Sequence, residues 1–518
     1  MAGVPLHSSF SQQRPRPWLD HYDYWVPQHT NYPRRPLYEI LRRAAAEGGD
    51  LPALSFLGRD LTFTEVKQRA DQLATALAAG GIAKGDRVGI MLPNCPQYVF
   101  AVFAVLRLGA VVVNLNPAFT APEIEHLLRD SGTRMLVTLD RLAPIALELR
   151  TRTALDTIVI TALSEFATDA AAPVSIPGTL RLADLIAEHE VSDLPRVAID
   201  TDEDIAVLQY TGGTTGVPKA AMLTHRNIFA NTIQTEVWHH RSTERGRDRF
   251  LLVIPYFHIY GLTVGMMRGI WQGARQILIP KYDVEAVLAA IRDYQPTYFP
   301  AVPTIYVSLL NHPKLREFNL DRVCTFNSGS APIPLEVIEK FERLVNVPLQ
   351  QGYGLSEASP VTHSTPHLAT RKPASIGLPM PDTDMKIVDL ETGAIELPLG
   401  EEGELCVSGP QIMKGYWNRP DETAIALRTD EHGVTWLHTG DIARVDDDGF
   451  VFIVQRKKDL IIVDGYNVYP SEVEAALFAH QAVMEAAVIG VPHSYHGEVV
   501  QAAVVLKPGH AVSADELK

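Results

Sequence analysis

The sequence predicts an α/β fold: a large N-terminal domain of helix-flanked sheets carrying a small β-rich subdomain, followed by a small α+β C-terminal domain. Three observations predict it. From Pro52 onward short apolar runs alternate with amphipathic stretches, the pattern of strands buried beneath helices on both faces. From about Ile376 the apolar runs shorten and are separated by tight turns, as at 446–449 between Ile442 and Phe452, which reads as a β-rich subdomain. The charged run Arg456, Lys457, Lys458 and Asp459 then reads as a linker, dividing the chain into 1–455 and 456–518.

Taken in order, the first forty residues are rich in aromatics and proline, with Trp18, Tyr22, Tyr24 and Trp25 close together, and are expected to form an arm packed on the first domain. Thr64 is the expected cap of a helix whose Val66, Ala70, Leu73 and Leu77 share one face and which Gly80 and Gly81 stop. A strand at 87–92, an apolar helix at 96–108 and a buried strand at 110–115 follow. Ile124, Leu127 and Leu128 mark a further helix ended by Gly132, with a strand at 135–137 after it. Residues 162–194 are less regular and read as a surface excursion. Strands are expected at 250–254, 276–279, 297–301 and 323–327, with helices at 284–291 and 335–344.

The stretch YTGGTTGVPKAAMLTHRN, from Tyr210 to Asn227, follows an apolar strand at 205–208. Gly212, Gly213 and Gly216 allow backbone N–H groups to approach an anion, Thr211, Thr214 and Thr215 add hydroxyl donors or a metal ligand, and Lys219 supplies a point charge for a polyphosphate. Ala220 after the lysine excludes a Walker loop. The blander reading is a surface loop between strand and helix. In QGYGLSE, at 351–357, Tyr353 can stack on a base and Glu357 can hold Mg2+ against phosphates; a turn with a solvated glutamate is the alternative. In LHTGD, at 437–441, Asp441 can accept from two ribose hydroxyls or close an Asx-turn. His258, among the aromatics of PYFHIYGL, reads equally as structural or functional.

Composition narrows the class. At 518 residues, 46% hydrophobic and 21% charged, the chain is globular and too long for one ordinary core. A formal net charge of -15 argues against general nucleic-acid binding. Cys95, Cys324 and Cys406 have no metal or disulfide spacing, and no apolar stretch has signal-peptide or membrane-span character. A soluble cytoplasmic protein is expected.

Together and in this order, these stretches resemble the adenylate-forming superfamily of acyl-CoA synthetases, coumarate ligases, luciferases and peptide-synthetase adenylation domains. The resemblance runs from about Trp18 to the end and is nearest to bacterial long-chain fatty acyl-CoA synthetases. It rests on LQYTGGTTGVPKAAMLTHRN, with TGG where many relatives have TSG, on FNSGSAP at 326–332, on WLHTGDIARVDDDGF from Trp436 and on RKKDLIIVDGYNVYPSEVE from Arg456.

The resemblance implies two helix-flanked sheets in the large domain and a mobile C-terminal domain. It implies that 211–219 cradles the phosphates of ATP, with Thr214 and Glu357 contacting Mg2+. Ser330, Ala331, Pro332, Gly352, Tyr353 and Gly354 would line the adenine pocket, and Asp441 and Arg456 would hold the ribose. His258 would stand at the acyl site, Lys458 would be the hinge, and Gly465, Tyr466 and Asn467 would help form the coenzyme A path. Relatives with long-chain preference have a tunnel behind the acyl site, expected here along Ile259, Tyr260, Leu262 and Val302. The implied activity is ATP-dependent ligation of a medium to long-chain fatty acid to coenzyme A through an acyl-AMP. Alternatives are an acyl-AMP ligase loading a carrier protein and a non-catalytic acyl or nucleotide binding protein. A peripheral visit to the inner membrane surface and a homodimer are compatible with the family. Ala220 replaces its usual glycine, and Gln455 its usual small or acidic residue. Its C-terminal lysine block would fall beyond Leu517, so the C-terminal domain is expected to be partial in this 518-residue sequence.

Overall fold

The predicted alternation begins with helix Phe63–Ala79, and its cap is Thr62 rather than Thr64. The Thr62 hydroxyl accepts from Glu65 N at 3.1 Å while Glu65 Oε2 accepts from Thr62 N at 2.9 Å. This reciprocal pairing needs an acid three positions on, which Thr64 lacks. The computed structural model describes residues 14–517, apart from 170–173, 192–193, 195, 212–217, 241–242, 319, 464–465 and 494–496. Strand Arg87–Met91, helix Pro96–Arg107, strand Val111–Asn114, helix Ala121–Ser131 and strand Met135–Leu139 follow as expected. Helix Pro96–Arg107 is buried all round from Pro96 to Leu106, which is why it has no polar face.

Among the described residues the strands form four sheets. The first has the order Leu180–Arg181, Thr157–Thr161, Met135–Leu139, Arg87–Met91, Val111–Asn114, Ile205–Thr211 and Lys219–Thr224. It is parallel except for the last pair, which is antiparallel with Thr211 opposite Lys219. The glycine-rich stretch therefore joins two strands of a hairpin, not a strand to a helix. Helix His225–Trp238 begins only after the second strand, capped by Thr224 and Asn227.

The second sheet runs Leu378–Pro379, Val361–Ser364, Leu349–Gly354, Thr325–Ser328, Tyr298–Ala301, Arg249–Leu252, Arg275–Leu278, Pro52–Phe56 and Arg59–Thr62. Its interior is parallel and both edges are antiparallel. The expectation of parallel sheets thus holds for the helix-covered interiors and not for the edges. The region 162–194 is more than a surface excursion, since it supplies the edge strand Leu180–Arg181 and helix Leu182–Glu188, which packs on Phe63–Ala79.

The β-rich sheet consists of Asp384–Val388, Gly403–Ser408, Thr435–Val445, Leu427–Thr429 and Val451–Arg456. It starts later than expected because Leu378–Pro379 still pairs in the larger sheet. At Arg456 the chain leaves it, makes the 3-10 turn Lys457–Asp459, and at Ile461 enters a sheet of Tyr466–Val468, Ile461–Val463, Gly497–Leu506 and Val483–His493. Helix Pro470–Phe478 rests against the preceding sheet, with Ser471 N donating to Gln455 Oε1 at 3.3 Å and Ser471 Oγ to Val454 O at 3.2 Å. The described part of the N-terminal arm packs as expected: Trp18 is buried, the Tyr22 hydroxyl donates to Pro379 O at 2.7 Å and Trp25 Nε1 to Trp238 O at 3.1 Å. No helix among the described residues is long and apolar enough to cross a membrane.

Candidate active site

A cavity of about 700 Å³ opens between the two large sheets and the β-rich sheet, walled by Thr211, Lys219, His258, Ser330, Tyr353, Glu357 and Arg456 among others. Buried amides bind these walls together. Asn94 Nδ2 donates to Leu252 O at 3.0 Å and Ile254 O at 2.9 Å, and its Oδ1 accepts from Tyr256 N at 2.7 Å. Gln209, two residues before Thr211, donates to Phe257 O at 3.1 Å and accepts from Asn114 at 3.0 Å. Buried polar groups need such partners, and here they fix the segment carrying His258 against the strand that leads into the glycine-rich stretch.

At one end Lys219 starts its strand and pairs with Glu422, its Nζ lying 5.2 Å from the centre of the Tyr416 ring. Thr211 Oγ1 donates to Lys219 O at 3.4 Å. Gly212, Gly213, Thr214, Thr215 and Gly216 lie outside the described residues, as does Gly465. Glu357 sits on the 3-10 turn Ser356–Ala358, and its Oε1 accepts from the Tyr416 hydroxyl at 2.7 Å. No group of three or more His, Cys, Asp or Glu side chains suited to a metal converges among the described residues. Mg2+ is commonly held by one or two carboxylates with water and substrate phosphates, and Glu357 on the wall of the cavity that Lys219 also lines fits that manner of binding.

Ser330, Gly352, Tyr353 and Gly354 form another wall, with Ser330 in the left-handed region at φ 71. Gly354 has to be glycine, because a Cβ there would lie 2.1 Å from Pro360 O. Ala331 and Pro332 are exposed and outside the cavity wall, contrary to expectation, since the chain turns outward at Ser330. Asp441 lies behind the wall, buried, where it accepts the Tyr353 hydroxyl on Oδ2 and meets Arg456 Nε at 2.8 Å from Oδ1. Burial raises its pKa above the ordinary aspartate range, against the pull of Arg456. Lys458 is off the wall, in the 3-10 turn, 3.9 Å from Asp459 Oδ1.

His258 is open to the cavity but lies deep in the protein, and burial holds its imidazole below the ordinary range. Its Nδ1 accepts from Tyr260 N at 3.2 Å. Beyond it the wall turns apolar, with Ile259, Tyr260, Val264, Val361 and Met380. Leu262 and Val302 are not on this wall. Leu262 is fully buried in the main core, and Val302 packs against the apolar cluster of the second sheet.

Tyr416, Glu422, Glu404 and His438 also wall the cavity and were not singled out by sequence. Glu404 accepts from Lys457 at 2.9 Å and lies 3.4 Å from His438 Nδ1. Burial opposes the Glu404 charge, but hydrogen bonds from His438 and Lys457 outweigh it and hold the carboxylate at about 2. Nothing local distinguishes these residues, whose partners lie far off in the chain. The arrangement can receive an anionic, metal-associated group at the Lys219 and Glu357 end, a ring and a diol along Tyr353 and Arg456, and an apolar tail beyond His258.

The model of the AMP-binding enzyme family matches residues 41–417, and that of the AMP-binding enzyme C-terminal domain matches residues 472–518. A long-chain-fatty-acid–CoA ligase of Bacillus subtilis is 44% identical over 98% of this chain and 91% of its own length. Two solved structures superpose closely. A long-chain-fatty-acid–CoA ligase from Archaeoglobus fulgidus has a TM-score of 0.75 and 29% identity over 94% of this chain and 93% of that one. The ATP-bound MatB from Rhodopseudomonas palustris has a TM-score of 0.81 and 29% identity over 93% and 91%.

Proposed function

The chain belongs to the AMP-binding enzyme family, and from that premise we propose that it is an ATP-dependent fatty acid:CoA ligase acting through an acyl-AMP on medium to long-chain acids. The observation that carries the reading is the continuity of one cavity, from Lys219 and Glu357 past Tyr353 and Arg456 to His258 and the apolar residues Ile259 and Val264.

A carboxylate is a poor acylating agent, and the first step makes it a good one. Its oxygen attacks the α-phosphorus of ATP, the bond to the pyrophosphate leaving group breaks, and a mixed anhydride with AMP remains. The protein's part is to orient and to spread charge. Lys219 with the 211–219 stretch takes the phosphates, and Glu357, with Thr214, would hold a Mg2+ that neutralises them. Ser330 and the 352–354 strand would bound the adenine, and Asp441 would set Arg456 for the ribose. Neutral His258 stands where the acid's head meets its apolar tail and excludes water from the acyl side. In the second step the thiol of coenzyme A attacks the activated carbonyl and AMP leaves. With the chain divided at 455/456, rotation of the smaller part about Lys458 would bring Gly465, Tyr466 and Asn467 to the thiol path.

The test is product analysis. AMP and pyrophosphate should form only with fatty acid present, and acyl-CoA should appear on adding coenzyme A. Transfer to a carrier-protein phosphopantetheine in preference to coenzyme A would overturn the acceptor assignment.

A further inference from the structure

Lys219 starts a strand of the first sheet and Glu357 lies on the turn between two strands of the second, yet a single side chain touches both. The Tyr416 hydroxyl donates to Glu357 Oε1 at 2.7 Å, and the Tyr416 ring lies 5.2 Å from Lys219 Nζ. The backbone beneath this tyrosine is unusually well fixed. Residues 414–417 run along strand Lys219–Thr224 as an added partner. Lys414 N donates to Met222 O, Met222 N to Gly415 O and Trp417 N to Ala220 O, each at 2.9 Å, and Tyr416 bridges Ala221. Tyr416 N itself donates to Thr423 Oγ1 at 2.9 Å. The turn carrying Glu357 is tied to the same segment, since Met413 N donates to Glu357 O at 2.8 Å. Side chain and main chain thus join the Glu357 turn to the Lys219 strand through one short stretch.

We propose that Tyr416 is a shared positioning residue that sets the phosphate-binding cation and the metal-binding carboxylate relative to one another. The inference rests on the reading of Lys219 and Glu357 given above. A donor on the outer side of a metal-binding carboxylate fixes which oxygen faces the metal, and loss of such a partner commonly lowers metal affinity about tenfold or more. The ring acts separately. A cation held over an aromatic face is ordered without a competing anion being spent on it, so Lys219 keeps its place when phosphate takes over from Glu422 as its counter-charge.

The two contacts can be removed one at a time. Tyr416→Phe keeps the ring and loses the hydroxyl, while Tyr416→Leu loses both. With a non-cleavable ATP analogue, nucleotide binding is measured in EDTA, and Mn2+ binding to the enzyme–nucleotide complex is measured by electron paramagnetic resonance. Tyr416→Phe should leave metal-free nucleotide affinity within about twofold of the parent and weaken Mn2+ about tenfold. Tyr416→Leu should weaken both. Thermal melting of each variant accompanies the binding data. Unchanged Mn2+ affinity in Tyr416→Phe, unchanged metal-free affinity in Tyr416→Leu, or equal loss of both in the two variants overturns the proposal, as does a change confined to melting temperature. Acyl-CoA formation by the parent chain, assayed alongside, separates the two readings. If it occurs and Tyr416→Phe binds Mn2+ normally, only the role of Tyr416 falls; if it fails and the Mn2+ effect is present, only the ligase assignment falls.

Discussion

Asp441 and Arg456 stand directly opposite each other on two antiparallel strands, with Arg456 Nε 2.8 Å from Asp441 Oδ1. The same carboxylate takes the Tyr353 hydroxyl on its other oxygen. One buried aspartate therefore orients both a cation and an aromatic ring on the cavity wall. Asp441→Asn should weaken ATP binding about tenfold or more with a smaller change in kcat, because contacts to a ribose persist from substrate to transition state. ATP affinity measured by calorimetry that equals the parent's would contradict the assignment.

Glu357→Ala should lose adenylation in a way that added Mg2+ only partly restores, since the remaining ligands are water and phosphate. The check is the rate of acid-dependent pyrophosphate release across a Mg2+ titration. An unchanged Mg2+ requirement would remove Glu357 from the metal.

Lys458→Pro should leave ATP binding intact and slow the passage between half-reactions, because proline fixes φ in the turn through which the chain moves from one sheet to the next. Pyrophosphate release on its own, and thioester formation from synthetic acyl-AMP on its own, are the two assays. Equal loss in ATP binding would show damage to the nucleotide site instead.

Mild acid should destabilise the protein through its buried histidines. Burial holds His225 and His367 at about 4 and His363 at about 3, below the 6.5 of an ordinary imidazole. The unfolded chain therefore binds more protons than the folded one across that interval, so stability is full above the ordinary value and is lost as pH falls through it. Melting temperature should drop between about pH 7 and about pH 5. A flat or rising profile would contradict this.

Asn94→Ala should remove three hydrogen bonds; Leu252 O still accepts from Ile279 N at 3.1 Å, but the Ile254 carbonyl and the Tyr256 amide lose their partner near His258, at a cost on the order of 3 kcal/mol. Melting should shift down by several degrees, which thermal denaturation reads directly.

What the sequence made legible was local. Gly132 ending its helix and the apolar helix Pro96–Arg107 each declare themselves within one short stretch of sequence. The cap lies at Thr62, two positions before the expected Thr64, because two threonines flank Phe63 and only the acid at Glu65 decides between them. Pairings across the chain were not legible. Tyr416 reaches Glu357 over 59 positions and Tyr353 reaches Asp441 over 88, and no periodicity encodes either. The expected tunnel lining divides for a related reason: Ile259 and Tyr260 do line the cavity, whereas Leu262 and Val302 are as apolar as their neighbours, and only packing shows that these two face the core.

The most direct test of the account supplies the chain with ATP, Mg2+, coenzyme A and straight-chain acids from hexanoic to octadecanoic, and quantifies AMP, pyrophosphate and acyl-CoA together. The account predicts equal amounts of all three with the middle and longer acids, and none without acid. Absence of acid-dependent AMP across the whole series, or AMP without acyl-CoA, would contradict it.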